Sequence, residues 1–222
     1  MNAKNIMKKI AYLYVGFFLV GLGIVLSVKS NLGLAPWDVL NQGISRTFDI
    51  NIGIVNIYVG LAMIVIATFI KVYPGIATVL NAIFCGLFIE LLMDHIPHPP
   101  NLFIAVIMNI LGVVLLALGS ALYLKAILGA GPRDSFFLGL VKKLQINITY
   151  IRPVVDGIVL LTGFLLGGTI GLGTIVALLF LGFFMDVFFR LLKYNPKEVT
   201  QMNFAQQIRY LKEMRNHEDS SS

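Results

Sequence analysis

Apolar residues occur along this chain in six long stretches, which are separated by short polar segments. A helix needs about 20 mainly apolar residues to cross the hydrocarbon core of a bilayer. The pattern therefore predicts six membrane-spanning helices, and few residues are left over for a domain in water. The stretches are residues 10–28, 52–70, 76–93, 102–124, 150–166 and 172–189.

Two further segments, 37–48 and 133–144, are too short and too polar to be ordinary spans. Pro36 and Pro132 come directly before them, and proline suits the first position of a helix because the missing N–H has no partner there in any case. The first segment follows the apolar stretch 10–28, and the second follows the stretch 102–124. We expect each to form a short helix, which either lies at the membrane interface or enters the membrane as a re-entrant helix.

The last 30 residues, 193–222, are polar enough to leave the membrane. Phe204, Ile208, Leu211 and Met214 recur there at nearly helical spacing. This spacing predicts a short amphipathic helix in a cytoplasmic tail. The remaining residues, 1–192, form the predicted membrane domain.

Composition supports the same class of protein. The 222 residues are 58% hydrophobic and 13% charged, with a mean hydropathy of +0.87. A chain with so little polar surface cannot cover a water-soluble fold. The sequence therefore indicates an all-α integral membrane protein.

The basic residues predict the orientation of the spans, since loops rich in Lys and Arg stay in the cytoplasm. With the N-terminus inside, fifteen of the 17 Lys and Arg residues fall on the inner side, and only Lys29 and Arg46 fall outside. We therefore expect a multi-pass protein of the cytoplasmic membrane with both termini inside. The net charge of +6 then favours contact with anionic lipid headgroups. No basic patch interleaved with aromatic residues suggests a nucleic-acid partner.

The chain also contains an internal repeat at a constant offset of 96 residues. The segments SNLGLAPWDVLNQG at 30–43 and AILGAGPRDSFFLG at 126–139 share a Leu-Gly pair, a proline, an aspartate and a later glycine at this offset. Matches between polar residues at one fixed offset rarely arise by chance. The sequence therefore predicts two three-span repeats, at about residues 10–94 and about 106–190.

An odd number of spans in each repeat makes the second copy enter the membrane from the opposite side. The two halves are therefore predicted to be inverted relative to each other. Inverted repeats are common in transporters, where the two halves rock about a central site. This architecture favours alternating access.

The best candidates for substrate binding or gating lie in and beside the two repeated loops. Asp38 and Asp134 fall in the first turns of the short helices, where an aspartate either caps free N–H groups or binds a substrate or a coupling proton. The residue directly before each aspartate differs between the two copies: Trp37 suits an aromatic anchor at the outer interface, and Arg133 suits a positive charge on the cytoplasmic side. Lys29 and Lys125 precede the loops and either reach the headgroups or join the site. The candidate residues are Lys29, Pro36, Trp37, Asp38, Lys125, Pro132, Arg133 and Asp134.

Motifs of enzymes, nucleotide-binding sites and metal centres are not found in the sequence. The glycine-rich turn at 165–174 lies between two spans, which is the wrong context for a phosphate loop. His95 and His98 stand in a proline-rich loop and make a weak metal signal. Arg152 and Asp156 are spaced for an ion pair within one helix, and Asn56, Asn81 and Asn109 are candidates for hydrogen bonds between helices. We expect no enzymatic activity and no cofactor or bound metal.

The segments SNLGLAPWDVL at 30–40 and GAGPRDSF at 129–136, together with the six-span layout, resemble the YczE-like membrane proteins of the wider YyaS/YitT group. The resemblance covers nearly the whole chain except the tail. It implies a bacterial integral membrane protein, and it supplies no established binding residues.

Together these features predict a permease or exporter for a small molecule, with the lipid bilayer and an unidentified substrate as partners. Two alternatives remain. The chain is a substrate-capture subunit of a larger energised transporter, or it is an accessory protein of a membrane or biosynthetic assembly that transports nothing itself. Association with a second copy or with a membrane partner protein is compatible with each of these functions.

Overall fold

The computed structural model describes residues 3–146, 148–195, 202–204, 206 and 209. This part of the chain is helical, without strands, and contains eight helices. The helices are α1 Ala3–Ser30, α2 Pro36–Phe48, α3 Ile52–Phe69, α4 Ile76–Met93, α5 Leu102–Lys125, α6 Pro132–Leu144, α7 Ile148–Leu165 and α8 Leu172–Leu191.

Five of these helices are long and apolar enough to cross a membrane: α1 over Met7–Ser30, and α3, α4, α5 and α8 over their whole lengths. The all-helical class is thus confirmed for the described residues, and the five helices support a membrane protein. Helix α7 coincides with the remaining predicted span, but it carries Arg152, Pro153 and Asp156 in its first half and is not among the five. The six-span arrangement stays a prediction.

The two short helices begin and end in matching ways. Pro36 and Pro132 are their first residues. Asp49 and Gln145, which directly follow the last residues of α2 and α6, adopt left-handed conformations with φ of 54° and 56°. Each turn allows the chain to reverse into the next helix, as is usual at helix C-termini. The 96-residue offset therefore holds for local backbone structure as well as for the amino-acid letters.

Helices α1 and α5 form the centre of the bundle and approach each other through glycines. A Cβ added to Gly16 would lie 2.8 Å from the carbonyl oxygen of Gly119, and one added to Gly23 would lie 2.6 Å from that of Gly112. The two helices are therefore antiparallel, because the partner number falls as the α1 number rises. Small residues at such a crossing let the two backbones pack closely, which drives helix association in a bilayer.

The loops after α1 and α5 each dock on a helix of the other half. The carbonyl of Leu32 accepts a hydrogen bond of 2.7 Å from the N–H of Gly173, and that of Leu128 accepts one of 2.9 Å from the N–H of Ala77. From the first bond to the second, the residue number of the acceptor rises by 96 and that of the donor falls by 96. The two halves are thus joined by crossed, equivalent contacts.

Gly33 and Gly129 are required at these docking points. Their φ values are 109° and 127°, a conformation that other residues rarely adopt. A Cβ would also lie 2.6 Å from Thr174 Oγ1 at Gly33, and 2.7 Å from Thr78 Oγ1 at Gly129. The Leu-Gly pair of the repeated motif therefore serves backbone geometry and close docking.

The two halves differ in how their last two helices pack. Helix α4 packs closely on α3: a Cβ added to Gly86 would lie 2.5 Å from the carbonyl oxygen of Gly53 and 2.4 Å from Ile57 Cγ1. In the described residues α7 and α8 have no comparable interface. Gly182, which is 96 residues after Gly86, has no atom within 4 Å of an added Cβ apart from its own surroundings in the helix. The α3–α4 seam is thus closed and the α7–α8 seam is open.

The predicted tail helix lies largely outside the described residues, including Ile208, Leu211 and Met214. Phe204 is described, and its N–H donates a hydrogen bond of 3.0 Å to the carbonyl of Pro74. The chain beyond the last span therefore returns to the turn between α3 and α4.

Candidate functional site

A cavity of about 380 Å³ lies in the middle of the bundle. Each of the eight described helices contributes residues to its wall, and so do the residues just before α2 and α6. Much of the wall is apolar, with Val20, Ile24, Leu116 and Met185 among its residues. The polar part comes mainly from the first turns of α2 and α6 and from the first half of α7. The N-termini of the two short helices therefore meet at one chamber.

An ion pair joins the two short helices at this chamber. The guanidinium group of Arg133 donates a hydrogen bond to Asp38 Oδ1 at 2.8 Å. The Asp38 side chain is 3% exposed and that of Arg133 is 31% exposed. A buried carboxylate needs a partner of this kind, since an isolated charge in an apolar interior is very costly. Arg133 also faces the ring of Trp37, with its Cζ 5.8 Å from the ring centre.

A second polar group connects α2 to α7. The indole N–H of Trp37 donates to Asp156 Oδ1 at 2.9 Å, and Arg152 Nε lies 3.6 Å from Asp156 Oδ2. The pair of Arg152 and Asp156 within one helix confirms the prediction from their spacing. The Arg152 guanidinium also lies over the ring of Phe137, 5.4 Å from its centre.

Asp134 is placed differently from its counterpart Asp38. Its Oδ2 accepts a hydrogen bond of 3.1 Å from the hydroxyl of Tyr123 on α5, and both residues line the cavity. In the described chain Asp134 forms no ion pair. The two aspartates of the repeated motif therefore have different environments.

Buried amides extend this polar centre into the protein. Asn41 Nδ2 donates to Asn56 Oδ1 at 3.0 Å, and the same oxygen lies 3.4 Å from Arg133. Asn41 Oδ1 is buried and has no hydrogen-bond partner in the described structure. Asn109 bonds to Ser30 Oγ and to the carbonyl of Gly33, which ties α5 to the first repeated loop. Asn56 and Asn109 thus make the interhelical bonds that the sequence predicts, whereas Asn81 lines the cavity and makes no interhelical side-chain bond in the described part of the chain.

The structure separates the two candidate lysines from the cavity. Lys29 lies beside His98 and Pro99 at the end of α1, and its carbonyl is 3.1 Å from His98 Nδ1. Lys125 is at the end of α5, with its Nζ 5.1 Å from the centre of the Tyr12 ring. Six of the eight candidates are therefore gathered in or against the chamber, and the two lysines are not.

Known proteins resemble this chain over most of its length. The model of a family of unknown function, DUF6198, matches residues 7–190. A protein of Haemophilus influenzae described as uncharacterised is 35% identical over 188 residues, which cover 83% of this chain and 86% of the relative. The membrane protein YczE of Bacillus subtilis is 27% identical over 87% of this chain and 88% of its own. YyaS of the same organism is 26% identical over 81% of this chain and 92% of its own.

The chain belongs to the DUF6198 family. The predicted likeness to YczE and YyaS is confirmed, and the description of YczE as a membrane protein agrees with the apolar helices. No solved structure matches the chain.

Two residues of the site have roles that the sequence did not indicate. Trp37 is not an outer aromatic anchor, because its indole faces the cavity and bonds to Asp156. Arg133 is not a free cytoplasmic charge, because it pairs with buried Asp38. The spacing of Arg152 and Asp156 predicts only a pair, although both also line the chamber. The signal that marks them is two ionisable residues within one apolar stretch, where such groups are usually functional.

Proposed function

We propose that this DUF6198 member is a small-molecule permease of the cytoplasmic membrane, which works by alternating access between two inverted three-span halves. The observation that carries the proposal is the chamber itself, which is charged, central and bounded by both halves. Buried charges in a membrane protein are costly, and they typically mark a substrate or ion pathway. The proposal includes α7 as the sixth span and places both termini in the cytoplasm.

The crossed contacts support an inverted arrangement. Equivalent helices α1 and α5 are antiparallel, and the equivalent loop contacts at Gly173 and Ala77 are exchanged between the halves. A two-fold axis in the membrane plane relates the copies of an inverted repeat in this way. Such a protein has two states in which the packing of the halves is exchanged.

The difference between the closed α3–α4 seam and the open α7–α8 seam defines the second state. Here α4 is packed on α3 at Gly86, whereas Gly182 of α8 faces open space. In the exchanged state α8 closes on α7 through Gly182 while α4 separates from α3. The cavity is then reached from the other side of the membrane.

Disulfide cross-linking tests this exchange without knowledge of the substrate. In a Cys85→Ala background, Gly60→Cys with Ala82→Cys probes the α3–α4 seam, because a Cβ added to Gly60 lies 3.0 Å from Ala82 Cβ. Pro153→Cys with Gly182→Cys probes the equivalent α7–α8 seam. In an alternating protein in membranes, each cysteine pair cross-links when it is the only pair present. When both pairs are present in one variant, few molecules carry both cross-links, because closing one seam opens the other. A protein with one state cross-links only at the first seam, and that result would exclude alternating access.

A further inference from the structure

Among the described residues, three carboxylates and two guanidinium groups lie on or directly behind the chamber wall, and Asp38 stands behind the wall on Arg133. Asp38 pairs with Arg133, and Asp156 pairs with Arg152. Asp134 is left over, since the contact of its side chain is the hydroxyl of Tyr123. With each of these five groups in its ionised form, the described cluster carries one uncompensated negative charge.

The candidate lysines do not supply the missing positive charge. Lys125 is held over the Tyr12 ring, and Lys29 lies in the separate surface pocket beside His98. Neither residue lines the chamber. A ligand with one positive charge therefore balances the site, and charge balance matters because the surroundings have a low dielectric constant.

The rest of the wall favours an organic cation over a bare metal ion. The chamber holds about 380 Å³ and is lined by aliphatic side chains together with Trp37, Tyr123 and Phe137. Aliphatic walls cannot replace the oxygen ligands of a hydrated metal ion. They suit the apolar body of an amphiphilic molecule, and aromatic rings attract the positive centre of an organic cation.

We propose that the chamber binds a small organic monocation, with Asp134 as its counter-ion. This inference deepens the proposed permease function and rests on the same chamber. Asp38, at the equivalent position of the first repeat, cannot take this role because Arg133 already neutralises it. The two copies of the motif thus have different duties: one pairs the short helices and the other receives the ligand.

Calorimetric titration of the purified protein with benzyltrimethylammonium tests the proposal, with benzenesulfonate as the anion of opposite charge. We expect the cation to bind and the anion not to bind. Asp134→Asn should weaken cation binding by about 30-fold or more, as for loss of one partner of a buried charge pair. Asp134→Glu should retain much of the affinity, because it keeps the charge. Asp49→Asn, the same chemical change at an exposed helix end, should bind like the unaltered protein.

Unchanged cation affinity in folded Asp134→Asn would overturn the proposal. So would preferential binding of benzenesulfonate that is lost in Arg152→Gln, because the chamber would then be an anion site. If Asp134→Asn does not fold, Tyr123→Phe replaces it: removal of the competing hydroxyl should tighten cation binding by about threefold, and unchanged or weaker binding would contradict the assignment. The seam cross-links stay informative in either case, since they report alternation without any ligand.

Discussion

The Arg133 guanidinium and the Asp38 carboxylate meet at 2.8 Å across 95 positions of sequence. The position equivalent to Arg133 in the first repeat is Trp37, the neighbour of Asp38. The two copies of one short motif therefore touch each other at the start of their helices. Each copy of the motif therefore supplies one partner of this buried ion pair.

Loss of the Arg133 side of this ion pair should destabilise the protein more than loss of the Asp38 side. Arg133→Gln leaves a buried carboxylate without its partner and should lower the free energy of unfolding by about 3 kcal/mol or more. Asp38→Asn should cost less, because Arg133 is partly exposed and reaches water more readily. Denaturation in mixed micelles measures both changes.

The double variant Arg133→Gln with Asp38→Asn provides the control. It should recover part of the loss of Arg133→Gln, because no buried charge is then left unpaired. Additive losses would show that the ion pair does not stabilise the joint between α2 and α6.

The glycines of the two repeated loops should not tolerate a side chain. Gly33→Ala and Gly129→Ala place a Cβ at a positive φ and within 2.6 and 2.7 Å of a threonine hydroxyl. Each should cost more than about 2 kcal/mol, or prevent folding. The yield of monodisperse protein and its thermal unfolding temperature measure the effect.

Gly157→Ala is the matched control for these variants. Gly157 lies within α7, and nothing stands within 4 Å of its added Cβ. Alanine should stabilise this helix by up to about 1 kcal/mol. A loss of stability there as large as at Gly33 would mean that the loops are not specially restrained.

The proposed inverted orientation predicts which positions a membrane-impermeant thiol reagent reaches. In a Cys85→Ala background, cysteines at Asn101 and Thr169 should react from outside the cell, and a cysteine at Lys143 should react only after the cells are opened. A cysteine at Ser221 should behave like that at Lys143; this position lies outside the described residues. Labelling of Lys143→Cys in intact cells would refute the inverted orientation.

The sequence by itself determined the class of protein, and it predicted the internal repeat. Apolar length is enough to predict membrane helices, because the bilayer sets one thickness for all spans. The fixed offset between Pro36 and Pro132 predicted two short helices, and both begin at these prolines. Local rules suffice for such features, since proline acts through its own backbone.

Tertiary structure alone decided which polar residues meet. An apolar periodicity does not show which face of a helix contacts protein, because lipid and protein interior are equally apolar. The direction of Trp37 and the separation of Lys125 from the chamber follow instead from how α2 and α6 insert between the longer helices. That insertion depends on contacts between residues far apart in sequence, such as Gly33 with Thr174, and packing geometry of this kind is not encoded in any local stretch.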